Sequence, residues 1–578
     1  MDLLSAIIST RARARDDDDD DDDDDATAGR PAGRPTGAGA DGANGVVVLR
    51  ICNFDAVSAT GVAPSLLDEF SLASGCPMDL LRIASSSPMN LLRIAALLGA
   101  AAAASPWNFG QGSSNAATRA ALESFQSDGF GMFIHNGPVT QWGTDIGWPL
   151  VCTTLPCTVP GPKNVPRNLT TTDELAAHRR EYFDLAKTWD PKDFNATALA
   201  RRAKDAGMKY VVYTTVHCDG FANWPSKVAT YNVETTPFAR DFFGELAAAL
   251  RAAGLKVGAY LCTTQWGPED VDFVYPDPLA TPNANGGEMP TYDVAKYPER
   301  WRRHVDRLHG LVAELAKNYR PDIFWFDCHN APPWDTRLDA VAPAIRAANP
   351  RALVLTRNGV FSDYLELPDQ SEAAVLQGVL DYQSFSGAPF EVASVLQASK
   401  QWAYDPASAQ KPANLVIANL MLIRAKGGNY LLDVSPTPEG PLAASADGVL
   451  AELAAWMAVN GEALHGAAPA YPYSDGASAF YTSKAAGDGL ALYVMVPTTK
   501  PAGELPLPAP AAPSGNVTVV AARPTLTSMA LAKAELLGFG EITAVAADAG
   551  LVLPIPAEAS NLAFAKNGLV FKLHYAAV

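Results

Sequence analysis

Cysteine is scarce in this chain, seven in 578 residues, and no two of the seven stand in a Cys-x-x-Cys pair. No tight His/Cys cluster has zinc-site spacing, so a zinc finger or ribbon is excluded and no metal is expected. A Gly-rich phosphate loop is missing as well, which removes the usual nucleotide-binding signature, and no cofactor is expected. Charged residues make up only 18%, and basic ones number 44 against 62 acidic, a net charge of -18. An excess of acid disfavours nucleic acid and anionic membrane surfaces as partners. Ten of those acids form one run, Asp16 to Asp25, so the rest of the chain is less acidic than the total suggests. Apolar runs long enough to span a bilayer are absent too, and no membrane span is expected.

What is present is 48% hydrophobic residues, the composition of a globular protein. The chain is too long for one core, which predicts two folded domains and a non-globular end. The end is the first 45 residues or so, an Arg-Ala repeat, the Asp run and a Gly/Ala/Pro/Arg stretch that cannot bury enough apolar surface to fold. Residues 1–88 are expected to be a disordered leader. Met89-Asn-Leu-Leu-Arg-Ile-Ala-Ala-Leu-Leu-Gly followed by five Ala, Ser and Pro106 has the anatomy of a secretory signal peptide over 89–105. Because such peptides begin at the first residue, translation is expected to start at Met89 or Met78. The sequons at Asn168, Asn195 and Asn516 agree with a secretory route. In an oxidising compartment Cys152 and Cys157 could close a small disulfide loop, while Cys218, Cys262 and Cys328 fall at or just after expected strand ends.

From about 130 to 440, short β-branched or aromatic runs alternate with Ala-rich helical stretches. Strands are expected at 130–135, 209–215, 256–262, 322–327, 352–357, 389–395 and 429–434. Helices are expected over Leu175 to Leu185, Thr197 to Ala206, Asp241 to Ala253 and Pro298 to Tyr319. This alternation points to an α/β chain with a (β/α) barrel over 106–444. After 445, short alternating runs such as Leu490-Ala-Leu-Tyr-Val-Met-Val, separated by Gly and Pro, read as a C-terminal β-sandwich over 445–578, with the Pro-rich 501–513 as a loop. The most telling segment is Pro321-Asp-Ile-Phe-Trp-Phe-Asp327, an apolar run of the kind a covered parallel strand has, ending in a carboxylate. Catalytic groups of (β/α) barrels sit at such strand ends, although an Asp there also caps helices.

Five blocks in one order resemble the α-L-fucosidases, retaining glycoside hydrolases of family 29. They are Phe130-Gly-Met-Phe-Ile-His135-Asn-Gly, Tyr213-Thr-Thr-Val-His217-Cys-Asp-Gly-Phe221, Lys256-Val-Gly-Ala-Tyr260, the Trp325-Phe-Asp327 strand, and Gly427-Gly-Asn-Tyr-Leu-Leu-Asp-Val-Ser-Pro. The resemblance implies a TIM-like barrel with a C-terminal β-domain and a fucosylated glycan or glycoside as substrate, and leaves a homo-oligomer open. It makes Asp327 the nucleophile. Retention requires a second carboxyl group roughly 5 to 5.5 Å away, and Asp369, after Leu367-Pro368, matches the family's acid best, with Glu366 and Glu391 as alternatives. Arg357 is expected to bind substrate and to lie nearer Asp327 than the acid, since a cation lowers a carboxyl pKa. His135, His217 and Trp325 match sugar-contacting positions, and Tyr260 and Trp142 are further candidates.

Two departures stand out. Asn136 replaces a Trp, and Cys218 an imidazole whose hydrogen bonding a thiol cannot reproduce. Loss of that contact would weaken sugar binding by about 1 to 3 kcal/mol if its partner were left buried and unpaired. An inactive, lectin-like sugar-binding protein and a glycosidase of different sugar preference are therefore alternatives to a fucosidase.

Overall fold

The computed structural model describes residues 46–50, 70–73, 80–84, 108–109, 115–152, 154–268, 294–328, 336–357, 361–367, 389–474, 479–499, 515–519, 529–547 and 550–577. Residues 1–106 form one unit and 107–578 another. In the first, within the stretch expected to lack structure, the apolar runs Val46–Arg50, Phe70–Ala73 and Leu80–Ala84 pair as a three-stranded antiparallel sheet. The signal-peptide stretch 89–105 and the Asp run lie outside the described residues.

The second unit is built on eight parallel strands: β1 Phe130–Ile134, β2 Tyr210–Val216, β3 Lys256–Cys262, β4 Ile323–Asp327, β5 Leu353–Thr356, β6 Leu365–Leu367, β7 Phe390–Val395 and β8 Asn429–Asp433. Their order in the sheet is β5-β4-β3-β2-β1-β8-β7-β6, the sequential order of a (β/α) barrel. Between β5 and β6, Asp363 supplies the link. Its N–H donates to the Val354 carbonyl at 2.8 Å, and its carboxylate accepts from the Val354 N–H at 2.8 Å. Arg346 neutralises that buried carboxylate at 2.8 Å.

Side chains of each strand alternate between two cores, as a period of two requires. Phe130, Met132, Phe324, Phe326, Val354, Val392 and Leu432 face outward onto the helices. Phe133, Trp325, Leu355, Ala393 and Leu431 fill the interior. Asp327, two residues beyond Trp325, shares the interior face, and so do His135, Glu391 and Asp433 on their own strands. Gly131 must lack a side chain here: a Cβ would lie 2.4 Å from the Tyr210 ring.

The helices are α1 Ala116–Asp128, α2 Thr172–Asp184, α3 Ala196–Asp205, α4 Phe242–Ala253, α5 Pro298–Tyr319, α6 Leu338–Ala348, α7 Ala413–Ala425 and α8 Ala444–Asn460. The start of α2, three residues earlier than the apolar pattern suggests, is set by a capping box. Thr171 accepts from the Glu174 N–H at 3.2 Å, and the Glu174 carboxylate accepts from the Thr171 N–H at 3.1 Å. Nearly every residue of α7 is buried, because β8 lies against one side and the strands Ala468–Ser474 and Phe480–Ala486 against another.

Those two strands open a six-stranded antiparallel sheet with Gly489–Val496, Leu569–Ala577, Met529–Leu536 and Gly540–Ile542. A second, three-stranded sheet of Gly515–Val519, Gly550–Ile555 and Val545–Ala547 contributes Leu553 to the core built on Tyr481, Val494, Phe571 and Leu573. This is the expected β-sandwich; residues 501–513 lie outside the described residues.

Arg424 of α7 ties the two β systems together. It is buried and donates to the carbonyls of Gly428 at 2.6 Å, Leu464 at 3.1 Å and Ala467 at 3.2 Å. Burial pulls its pKa down to about 10, so the guanidinium stays charged. Arg424→Met should cost about 3 to 5 kcal/mol, since three carbonyls lose their donor inside the protein. Urea unfolding checks this, and a loss below about 1 kcal/mol would mean water replaces the guanidinium.

Candidate active site

The C-terminal end of the barrel gathers the expected residues around Asp327. Its Oδ2 accepts from the Tyr260 hydroxyl at 2.7 Å, and its Oδ1 accepts from the Cys328 N–H at 2.7 Å and from Arg357 Nη1 at 3.2 Å. Its own carbonyl accepts the Thr263 N–H at 3.0 Å and hydroxyl at 2.6 Å. Cys328 has φ 72°, the left-handed region that non-glycine residues seldom adopt, and this conformation carries its N–H at the Asp327 carboxylate.

The charge state of Asp327 separates it from other buried acids. Burial alone would raise its pKa, but the Arg357 charge, the Tyr260 hydroxyl, the Cys328 N–H and proximity of His217 together hold it below the usual carboxylate value. Desolvation wins at Glu391 and Asp145, both pushed up to about 7, and at Asp219, pushed to about 6. Of these four carboxyls only Asp327 has cationic and hydrogen-bonding partners that outweigh its burial.

Two histidines stand beside the Tyr260 ring. His135 Nδ1 lies 2.7 Å from Asp433 Oδ1 at the end of β8, and that contact fixes the ring's orientation. His217 Nδ1 accepts the Cys218 N–H at 2.8 Å, which puts the proton of its neutral ring on Nε2 as a donor. Burial, with His135 nearby, pulls the His217 pKa down to about 3, so the ring stays neutral through the acid range. The His217 ring stacks on Tyr260, centroids 5.2 Å apart, and Tyr260 stacks on Trp325 at 5.6 Å.

Other expected residues stand elsewhere. Trp325 is buried, and its Nε1–H is committed to Glu391 at 3.0 Å, with the Tyr210 hydroxyl on the other Glu391 oxygen at 2.5 Å. Glu391 is 0% exposed and sits near the start of β7, level with Asn429, the first residue of β8. It is therefore placed deep in the barrel, under Trp325, rather than at the strand ends. Trp142 packs between Tyr182 and His178 with the Arg167 guanidinium 5.2 Å from its ring, which makes it part of the apolar layer of the rim. Glu366 is near, since Arg357 Nε reaches its Oε2 at 3.3 Å, so Arg357 bridges Glu366 and Asp327. Asp369 lies outside the described residues.

Sequence reasoning did not single out Asp433 or Trp402. Asp433 ends β8 as Asp327 ends β4, an apolar run closed by a carboxylate, and that signal was available. Trp402, half-buried, has its ring 5.1 Å from His135 and 5.9 Å from Phe133. Asp145 holds its loop by accepting the Trp402 and Ala403 N–H groups at 2.7 and 2.9 Å, a tie across more than 250 residues that no local pattern announces.

The departures at Asn136 and Cys218 are accommodated differently. Asn136 turns to the barrel wall, donating to the Tyr213 hydroxyl at 3.4 Å while its buried Oδ1 has no hydrogen-bond partner among the described residues. Cys218 joins two other cysteines, its Sγ 3.6 Å from that of Cys328. Cys262 and Cys328 form a disulfide, as do Cys152 and Cys157, the latter as expected.

Glu391 lends itself to a stability test. Its native pKa, near 7, exceeds the unfolded value near 4.5, so between the two the folded chain binds more protons. Stability should therefore fall as pH rises from about 4.5 to 7, by about 3 kcal/mol from this group. Glu391→Gln lacks the titrating group, so the stability difference between wild type and variant in denaturant titrations should itself shrink by about 3 kcal/mol between the two pH values, and an unchanged difference would mean the carboxyl is not buried neutral.

Comparison with known proteins agrees with this geometry. The family described as Alpha-L-fucosidase matches residues 96–462. Tissue alpha-L-fucosidase of Bos taurus is 27% identical over 388 residues, covering 64% of this chain and 74% of that protein. The Homo sapiens enzyme is 25% identical over 338 residues, covering 54% and 64% respectively. In fold, alpha-L-fucosidase isoenzyme 1 from Paenibacillus thiaminolyticus superposes with a TM-score of 0.59 at 24% identity, over 79% of this chain and 99% of that one. An alpha-L-fucosidase GH29 from Bacteroides thetaiotaomicron gives 0.57 at 21% identity, over 79% and 95%. With the family matched across more than half its length, and a carboxylate held ionised at the end of β4, the chain belongs to the alpha-L-fucosidase family of glycoside hydrolases.

Proposed function

We propose that the chain removes terminal α-L-fucose from glycans or glycosides by double displacement, with Asp327 as nucleophile. The observation that carries this reading is the half-buried Asp327 carboxylate, held ionised and oriented by Tyr260, Arg357 and the Cys328 N–H. Attack on the anomeric carbon forms a glycosyl-enzyme ester while a second carboxyl group protonates the departing oxygen. That group then takes a proton from the water that hydrolyses the ester. A GH29 alpha-L-fucosidase from Bacteroides thetaiotaomicron, 20% identical, is known as a trapped covalent intermediate.

The His135 ring and His217 Nε2–H, the latter as donor, suit adjacent sugar hydroxyls, and the half-buried Trp402 ring supplies an apolar wall for the fucose methyl group. Arg357 bears on the choice of acid. Glu366 is paired with its guanidinium, and Glu391, though its pKa is raised to about 7, has both oxygens engaged beneath Trp325. Asp369, three residues beyond Glu366, remains the acid of this reading. Exposed sequons at Asn168 and Asn195 and the stretch at 89–105 support passage through the secretory route to a secreted or lysosomal location. No described helix is long and apolar enough to cross a membrane.

One observation favours a second reading, a retaining glycosidase of different sugar preference: Cys218, which stands where the family has an imidazole, is turned to other sulfurs. A panel of aryl glycosides decides. Turnover of the α-L-fucoside alone supports the first reading, turnover of another sugar the second, and sugar binding without turnover of any would leave a lectin-like protein. On the same panel Asp369→Ala should spare substrates with activated leaving groups and lose those without. If Glu366→Ala shows that pattern instead, Glu366 is the acid.

A further inference from the structure

Three sulfur atoms meet where β2, β3 and β4 end. Cys262 closes β3, opposite Asp327 in the sheet register, while Cys328 follows β4 and Cys218 follows β2 by two residues. All three are buried, and their Sγ atoms lie within 4.8 Å of one another. One pair, Cys262–Cys328, is a disulfide; Cys218 belongs to neither disulfide of the described residues. The Cys218 Sγ stands 3.6 Å from Cys328 Sγ, so the third sulfur is next to one end of an existing bond.

We propose that these cysteines form a thiol–disulfide exchange site in which Cys328 is the shared sulfur and Cys262 and Cys218 are its alternative partners. In the exchange the Cys218 thiolate attacks Cys328 Sγ. The new sulfur–sulfur bond forms as the Cys262–Cys328 bond breaks, and its electron pair leaves on Cys262. Cys262 takes up the proton that Cys218 gave up, so one thiol and one disulfide stand on each side and no oxidant or reductant is consumed. An acceptor for the released thiol is already in place, the Thr264 carbonyl oxygen 2.9 Å from Cys262 Sγ. The step is intramolecular, so the burial of Cys218 and Cys262 is no barrier to their meeting Cys328. Burial does keep thiols protonated, which makes the exchange slow at low pH and faster in alkali.

The site adjoins the chemistry. The Cys328 N–H donates to Asp327 Oδ1, and Thr263, next to Cys262, holds the Asp327 carbonyl. Transferring the cross-link from β3 to the segment after β2 pulls Cys328 in a new direction and makes it a positioning residue for Asp327. That coupling rests on the proposed function, whereas the exchange does not, and the test reads the exchange alone.

Full-length protein from an oxidising host is held at about pH 8, quenched in acid to stop exchange, unfolded and alkylated there with a maleimide, digested without reduction and mapped by mass spectrometry. The expected map contains both Cys262–Cys328 and Cys218–Cys328 peptides, with the alkyl label divided between Cys218 and Cys262, while Cys152–Cys157 stays whole as the internal control. Folded Cys262→Ser is expected to carry Cys218–Cys328 and no label on either. A wild-type map with Cys262–Cys328 alone and label only on Cys218 overturns the proposal, and this arm decides even if Cys262→Ser does not fold.

Discussion

Asp327→Asn is expected to lower kcat/KM for an aryl α-L-fucoside by at least about 10³-fold while leaving the thermal unfolding midpoint within a few degrees of wild type. The amide nearly matches the carboxylate in shape: its one oxygen can keep the Cys328 N–H, while its NH2 takes the place of Oδ2 and turns to the Tyr260 hydroxyl oxygen. What it lacks is the anionic oxygen that bonds to the anomeric carbon, so the loss should fall on kcat rather than on substrate binding. A mechanism-based 2-fluoro-fucosyl reagent should add mass to the peptide containing Asp327 in wild type and not in the variant. Activity within tenfold of wild type, with no adduct on that peptide, would remove Asp327 from the reaction.

Removing Arg357 should produce the second largest change, and it has a pH signature. In wild type Asp327 stays ionised to low pH, so the acid limb of kcat/KM lies below the usual carboxylate range and activity is lost only as pH falls through that depressed value. Burial is the largest influence on this carboxyl and pushes its pKa up; Arg357 is the first of the groups that oppose it. With Arg357→Met the largest opposing influence is gone, and the acid limb should move upward. The plateau should drop about 10²-fold as well, the usual effect of losing one donor aimed at a reacting group. Arg357→Lys keeps the charge but not the fork between Asp327 and Glu366, so it should restore the limb and only part of the rate. An acid limb unmoved in Arg357→Met would mean that Tyr260 and the Cys328 N–H suffice to hold the charge.

The acids pushed in the other direction bear on where the chain works best. Asp145, Asp219 and Glu391 all have native pKa values raised by burial, so each favours the folded state more at acid than at neutral pH. Asp327 favours it above its depressed pKa. Between these limits lies a mildly acidic window in which Asp327 is ionised and the buried acids are still neutral. This is the range in which the aryl fucoside assay should start.

Local pattern was enough for most of the barrel and for the carboxylate at the end of β4. The runs before Ile134, Val216, Cys262 and Asp327 are apolar or β-branched because both faces of a barrel strand are covered, and such runs are readable without knowing their neighbours. The end of the Ile-Phe-Trp-Phe run at a carboxylate was visible for the same reason, as was the Cys152–Cys157 loop, whose partners are five residues apart. Leu365–Leu367 was not, because three residues without a preceding helix make no periodic signal, and only Asp363 reaching back to Val354 reveals the link. Distance along the chain hid the rest. Glu391 meets Tyr210 across 181 residues, His135 meets Asp433 across 298, and Cys218 meets Cys328 across 110. Residue type and spacing settle which way a strand's side chain points, inward or outward. Which partner waits inside, and so whether a carboxyl is ionised, neutral or walled off, depends on closure of the sheet and the desolvation that follows from it.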